Sequence, residues 1–407
     1  MTITRPATLN TTVAHVDCDC FFVSVELIDQ PHLKGTPICV CGPTGSSGVV
    51  TAANYEARPY GIGAGTPYFQ AKAMCPHATF IQGDFVKYGH KSFQLFEMLH
   101  KFSPNVEHTS IDEGYIDLIN LDRIYKMSHT ELMLKIQQTI LEKLQIPVSI
   151  GYAPTKTLAK IASKLNKPYG IAKIDHTNLA EILRITPIKE VCGFGRRIQI
   201  KLKYHFSIHT LADYVNADPT FVKAQLGLPG LIICHELQGT PLTKLTNRDA
   251  APKSILRSAM FPHKTTNHDF IRNWLVGRLE EAIKKLNNHN LKCETVGVFL
   301  RKQHPDKVET TTELPEPTAD FTTIKNAALN LFDQIYNPQQ LYRAGGVFLH
   351  NLSPQNKEQL SLFEQPLTTN LADLLNHFDK ILGKNTITTT AGAKYKKDNA
   401  NPFNNSY

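Results

Sequence analysis

Ser110-Ile111-Asp112-Glu113-Gly114-Tyr115-Ile116-Asp117-Leu118 sets two adjacent carboxylates between β-prone residues, with small Gly114 directly after them. On a tight strand connection such a pair concentrates negative charge where a hard divalent cation can bridge it to a phosphate. One pair is not a metal site, so a third carboxylate is required. Val13-Ala14-His15-Val16-Asp17-Cys18-Asp19-Cys20-Phe21-Phe22 offers it, an apolar strand that closes in a D-x-D. Side chains alternate along a strand, so Asp17 and Asp19 are expected on one face. The two acidic stretches therefore read as adjacent strands of one sheet holding Mg²⁺. Spacing alone gives Asp17 and Asp19 equal standing.

At 407 residues the chain exceeds one ordinary domain, and about two to four are expected. Hydrophobic content of 42% is globular, and a net charge of +8 leans toward polyanions. The excess is local: residues 253–307 hold eleven Lys or Arg against five Asp or Glu. Met1 to Asn10 is polar and lacks the apolar core of a signal peptide. No run approaches the roughly 18 apolar residues of a membrane span. The eight cysteines are scattered, mostly in strand-like apolar runs, which fits a reduced cytoplasmic protein. The C-x-C pairs 18/20 and 39/41 have the wrong spacing for a zinc knuckle.

Short strands are expected over 37–42 and 48–53, then a helix opening at Asn54-Tyr55-Glu56-Ala57-Arg58. Gly61 to Pro67 is glycine-rich but follows no strand and lacks the Lys-Ser/Thr of a P-loop, so it reads as a turn. Phe85, Tyr88, Phe93, Phe96, Leu99 and Phe102 recur at helical spacing and read as core. A helix over 129–144, a strand over 148–152 and a helix over 155–165 follow. The last carries Lys156, Lys160 and Lys164 in line, a pattern usual for a solvated face. Val191-Cys192-Gly193-Phe194-Gly195-Arg196-Arg197 has the look of a helix-hairpin-helix, whose glycines let backbone N–H groups approach a DNA phosphate. A plain αα-turn has the same pattern; the nearby Arg196, Arg197, Lys201 and Lys203 favour phosphate contact.

Residues 239–252 read as an interdomain tether. Beyond it the order is strand 253–261, helix 268–288, strands 293–302 and 307–313, helix 320–336 and strand 342–352. That βαββαβ order predicts a small α+β domain with a four-stranded sheet. Glu358 to Phe363 is an isolated apolar peptide, followed by a helical stretch over 370–383 and a polar tail.

Four stretches in this order and spacing resemble the Y-family (translesion) DNA polymerases, and bacterial DNA polymerase IV in particular. They are Val16-Asp17-Cys18-Asp19-Cys20-Phe21-Phe22, Ala53-Asn54-Tyr55-Glu56-Ala57-Arg58, Ser110-Ile111-Asp112-Glu113 and Lys164-Leu165-Asn166-Lys167-Pro168-Tyr169-Gly170. The resemblance covers roughly residues 12–352 and implies a multidomain α+β, right-hand polymerase. Its parts would be a palm (1–28 and 80–170), small fingers (29–79), a helix-hairpin-helix thumb (171–238), a linker (239–252), a βαββαβ little finger (253–352) and a tail (353–407). It also implies two Mg²⁺ ions on the catalytic Asp17, Asp112 and Glu113, with the Cys18 carbonyl completing one sphere, and leaves Asp19 structural. Phe21, Phe22, Tyr55, Arg58 and Lys167 would bind the dNTP, with Phe22 as the steric gate against a 2′-OH. Gly193, Gly195, Arg196, Arg197, Lys253, Arg257 and Arg301 would touch primer-template DNA. Gln359, Leu360, Leu362 and Phe363 resemble the peptide that binds the bacterial sliding clamp.

Two departures stand out. The family's usual Thr or Ser three residues before the tyrosine is Ala52 here, with Thr51 just before it. The stretch from Leu374 to Thr390 looks more like the extension of UmuC-type polymerases, which keeps open a subunit needing a UmuD-like partner or a recombinase filament. Rival readings are a nucleotide cyclase on a palm-like sheet and a catalytically silent DNA-binding accessory protein.

Overall fold

The computed structural model describes residues 12–42, 48–246, 251–302 and 306–355. The peptide containing Gln359, Leu360, Leu362 and Phe363 and the helix expected over 370–383 lie outside them. Two compact units, residues 1–249 and 250–407, divide within the tether read from composition.

The first unit is built on a sheet of β1 (Val13–Cys18), β5 (Val106–His108), β6 (Glu113–Asp117), β7 (Val148–Ala153) and β8 (Ile171–Lys173) in the order β5-β6-β1-β7-β8. β1 runs antiparallel to both β6 and β7. Alternation gives the sheet two unlike faces. Ala14, Val16, Cys18, Ile116, Val148 and Ile150 turn into an apolar core. They pack there with α1 (Phe21–Asp29), α3 (Phe85–His100) and α5 (His129–Leu144). Both long helices start where their caps allow: Asp84 accepts from the Val86 and Lys87 N–H groups, and Ser128 with Glu131 forms a capping box.

The opposite face carries His15, Asp17, Glu107, Glu113 and Ser149, and α6 (Lys156–Leu165) covers it. This helix lies directly on Gly151 of β7. A Cβ there would come within 2.0 Å of the Ser163 nitrogen and 2.3 Å of the Ala159 oxygen. The three lysines of α6 are therefore not a solvated stripe. Lys156 reaches Glu107 (2.7 Å), Lys160 reaches Glu113 (2.6 Å) and Lys164 reaches Glu190 (3.3 Å).

A smaller sheet, β3-β2-β4, joins β2 (Ile38–Cys41), β3 (Val50–Ala53) and β4 (Thr79–Gln82). The helix expected from Asn54 is instead a turn and a 3-10 segment, Arg58–Tyr60. The buried Asn54 side chain accepts from the Ile38 and Ala57 N–H groups (2.9 and 3.2 Å) and donates to the Thr36 carbonyl (2.7 Å). These bonds compete with the helical ladder. Short α2 (Tyr68–Met74) and α4 (Leu121–Tyr125) went unmarked in the sequence. All eight cysteines are free, and burial pushes the Cys39 and Cys41 thiols up to about 12 and about 11.

A helical segment closes this unit: α7 (Leu179–Ile185), α8 (Arg196–Ile200), α9 (Leu211–Asn216) and α10 (Pro219–Leu237). Gly193 has φ 91 in the turn ahead of α8, a backbone that a hairpin and a plain αα-turn share. A second break, unseen in the sequence, interrupts α10 at Gly227 (φ 69). Buried Glu236 accepts from the Thr157 and Thr243 N–H groups (3.1 and 2.9 Å), and Glu107 accepts from the Thr246 N–H (2.9 Å). The start of the tether is thus held by two carboxylates, one on α10 and one on the sheet.

The second unit realises the βαββαβ order with β9 (Ile255–Thr265), α11 (His268–Asn288), β10 (Leu291–Arg301), β11 (Lys307–Thr318), α12 (Phe321–Ile335) and β12 (Tyr342–Pro354). The antiparallel order is β11-β10-β12-β9. Val296, Val298, Leu300, Val347 and Leu349 pack on the helices. On the open face, Phe348 lies over Gly297 and Phe299 over Gly346, where a Cβ would come within 2.1 and 2.7 Å of the rings.

Gly151→Ala must push α6 off the sheet. The expected loss is about 1–3 kcal/mol of stability, read as a lower urea midpoint for the first unit; an unchanged midpoint would contradict the close contact.

Candidate active site

Strand pairing brings the carboxylates together. Asp17 stands directly opposite Glu113 in the β1–β6 register. Asp112 occupies the bend before β6, tied by its carbonyl to the Cys18 N–H (2.9 Å) and by its carboxylate to the Ser110 hydroxyl. Two like charges directly opposite destabilise a sheet, so compensation is needed. Lys167 meets Asp17, and Lys160 meets Glu113. His15, missed in the sequence, lies on the same face as Asp17 at i, i+2. Its Nδ1 is 2.8 Å from the Ser163 hydroxyl and its Nε2 3.5 Å from Glu113. Ligand atoms of His15, Asp17 and Glu113 all lie within 4.8 Å of one another. Two converging carboxylates, with a third one residue away, suit a hard divalent cation.

The electrostatics differ within the trio. Burial raises Asp17, and the Lys167 charge opposes it without cancelling it. Burial likewise raises Asp112 against the Ser110 hydrogen bond. Glu113 is also pushed up by burial, but His15 and Lys160 together outweigh that and hold it at about 2. Burial lowers His15.

Residues expected around a nucleotide cluster beside this trio. The Arg58 guanidinium lies 4.2 Å over the Tyr55 ring, and the Tyr55 hydroxyl donates to Asp19 (3.1 Å). Lys167, next to a cis Lys167–Pro168 peptide, sits 3.8 Å from Asp19 besides its contact with Asp17. Partly buried Phe22 stacks on Tyr88 (4.5 Å, 21°) and meets Phe85 edge-on (5.6 Å, 88°). The Tyr88 hydroxyl in turn donates to Glu26 (2.5 Å). Helical spacing placed Tyr88 in the core and could not show that it backs Phe22. Phe21 is 3% exposed and packs in the core. It can therefore offer a nucleotide only its backbone N–H in the first turn of α1, not its ring. Thr51 does not replace a hydroxyl at Ala52, because its own donates to the Val40 carbonyl (3.0 Å).

Gly193 and Gly195 are exposed in the turn before α8, Arg196 and Arg197 are exposed at its start, and Lys253 is exposed ahead of β9. Arg301 lies on the open sheet face, in a recess of about 330 Å³ shared with Arg343, Met260 and Phe299. Arg257 does not join it. Its register partner Val347 faces the core, and its guanidinium is half-buried near Glu281 and Arg278 of α11. The single-residue parity of β9 turns this arginine toward the helices.

Comparison with known proteins agrees with this geometry. The impB/mucB/samB family matches residues 16–164, and the C-terminal domain of the same family matches residues 252–362. DNA polymerase IV 1 of Halalkalibacterium halodurans is 32% identical over 384 residues, covering 91% of each chain. DNA polymerase IV of Dehalococcoides mccartyi is 32% identical over 373 residues, covering 91% of this chain and 94% of its own. Among solved structures, a Y-family DNA polymerase chimera of Dbh and Dpo4 aligns with a TM-score of 0.71 and 27% identity over 84% of this chain and 99% of its own. The insertion ternary complex of Dbh DNA polymerase aligns with a TM-score of 0.58, at the same identity and coverage.

Proposed function

The chain belongs to the impB/mucB/samB family as a DinB-like, Y-family translesion DNA polymerase, and we propose that Asp17, Asp112 and Glu113 are its catalytic carboxylates. The observation that supports this most is the β1–β6 register, which sets Asp17 opposite Glu113 with Asp112 at the adjoining bend. These three, with the Cys18 carbonyl, would hold two Mg²⁺ ions. Bound there, Mg²⁺ supplies Lewis-acid activation of the primer 3′-OH and neutralises the charge of the triphosphate and leaving pyrophosphate.

The chain's own residues do the rest. Lys167, Arg58 and Tyr55 hold the triphosphate of the incoming dNTP. Phe22 packs against the sugar, and its stack on Tyr88 keeps it from yielding to a 2′-OH. Residues 1–28 and 80–170 serve as palm, 29–79 as fingers, 171–238 as thumb and 253–352 as little finger. The exposed hairpin at Gly193, Gly195, Arg196 and Arg197 takes DNA phosphates, as do Lys253 and Arg301. Among the described residues no helix is long and apolar enough to cross a membrane, and we place the protein in the cytoplasm with the DNA it copies. Gln359, Leu360, Leu362 and Phe363 would dock the sliding clamp.

Asp112→Ala is expected to abolish primer extension with Mg²⁺ and four dNTPs while primer-template binding persists; near-normal extension would sink the assignment. Extension by the wild-type chain alone makes a UmuD-like subunit or recombinase filament dispensable, whereas failure with DNA binding intact assigns a need for one. Phe22→Ala should lower discrimination against ribonucleotides by about tenfold or more in single-nucleotide assays, and unchanged selectivity refutes the gate. Deleting 359–363 should reduce extension only with a loaded clamp; an equal loss without it points to packing.

A further inference from the structure

Asp19 was left as a structural residue by resemblance, yet its contacts join segments that are far apart in sequence. It follows β1 in a turn with Cys20 at φ 48 and is 2% exposed. Its own N–H donates to the Pro147 carbonyl (2.9 Å), and its carbonyl accepts from the Ser24 hydroxyl (2.6 Å). Its carboxylate accepts from three directions. The buried Ser149 hydroxyl bridges both oxygens (3.0 and 2.9 Å), the Tyr55 hydroxyl reaches Oδ1 (3.1 Å) and the Tyr169 N–H reaches Oδ2 (2.8 Å).

We propose that Asp19 is the positioning residue of the triphosphate site: one buried carboxylate that fixes Arg58 and Lys167 relative to each other without touching the nucleotide. This rests on the reading of Tyr55, Arg58 and Lys167 as the triphosphate-binding residues. Arg58 is set through Tyr55, whose ring lies under its guanidinium, and the guanidinium also donates to the Cys20 sulfur (3.3 Å). Lys167 is set through Tyr169, whose left-handed backbone (φ 53) is held by the N–H bond to Asp19, and by the Asp19 carboxylate itself, 3.8 Å from the Lys167 ammonium. Long cationic side chains lose rotamer freedom on binding a phosphate, and a pre-ordered pair loses less. The oxygens of Asp19 are already engaged by Ser149, Tyr55 and Tyr169, so its role is distinct from that of Asp17.

The test is steady-state insertion of one dNTP by the full chain at saturating primer-template. Asp19→Asn keeps the volume but removes the charge and turns one acceptor into a donor, so Ser149 can no longer donate to both positions and a hydroxyl must reverse to accept. The expected result is a KM for dNTP raised about tenfold, with kcat within about threefold of wild type and primer-template affinity unchanged. Ser149→Ala, which acts from behind Asp19, should raise KM in the same direction by a smaller factor. Arg58→Ala and Lys167→Ala control the underlying reading: if neither raises KM, that reading fails whatever Asp19→Asn does. If both raise it while a folded Asp19→Asn leaves KM unchanged, the positioning role is overturned. A collapse of kcat at unchanged KM overturns it too, because Asp19 would then be a catalytic residue. Should Asp19→Asn not fold, an unchanged KM in Ser149→Ala is the overturning result.

Discussion

The structure of the first unit turns on one electrostatic constraint: a β-sheet face that must hold several carboxylates close together. Strand register alone sets Asp17 against Glu113. Both are partly buried, so water screens their repulsion incompletely and a counterion is needed. Each is therefore met by a lysine from outside the sheet, Lys167 for Asp17 and Lys160 for Glu113. The same solution repeats one strand over, where Glu107 meets Lys156. α6 supplies two of these cations, and it can do so only because Gly151 lets its backbone lie directly on β7. The geometry of the carboxylates and the packing of one helix are thus a single problem with a single solution.

Much of this was legible in the sequence, for identifiable reasons. The βαββαβ unit announced itself because each element has a clean period and a turn between neighbours. The carboxylates did so because two acidic strands are unusual in an apolar setting. The lysines of α6 were not legible, since i, i+4, i+8 spacing looks the same on a wet face and on one facing a charged sheet. His15 hid as an ordinary strand residue, although its i, i+2 relation to Asp17 was a usable signal. Arg257 shows the limit of parity: alternation says that neighbours face opposite ways, but not which way is out. The break at Gly227 was masked by an apolar run that reads as one helix.

The segment after β3 shows side-chain hydrogen bonds overriding local propensity. Asn54 spends its amide on the backbones of Ile38, Ala57 and Thr36, so the expected helix becomes a tight turn. That turn carries Tyr55 and Arg58 to the same side of the sheet as Asp19. Thr51 is likewise committed to the β2 backbone. The donors left around the predicted triphosphate are then mostly full charges, a composition unlike one built on neutral hydroxyls.

The open sheet face of the second unit has a bearing on solubility. An uncovered apolar surface invites self-association, and Phe299 and Phe348 both point to the uncovered side. Each ring instead fills the space left by a glycine on the next strand, so that Phe299 is 4% and Phe348 9% exposed. The aromatics thereby cover the backbone of their neighbours and offer little edge to another molecule. The glycines opposite the rings thus withdraw the two aromatics from contact, and the apolar side chains that this face still presents include the aliphatic Leu256 and Met260, 53% and 67% exposed.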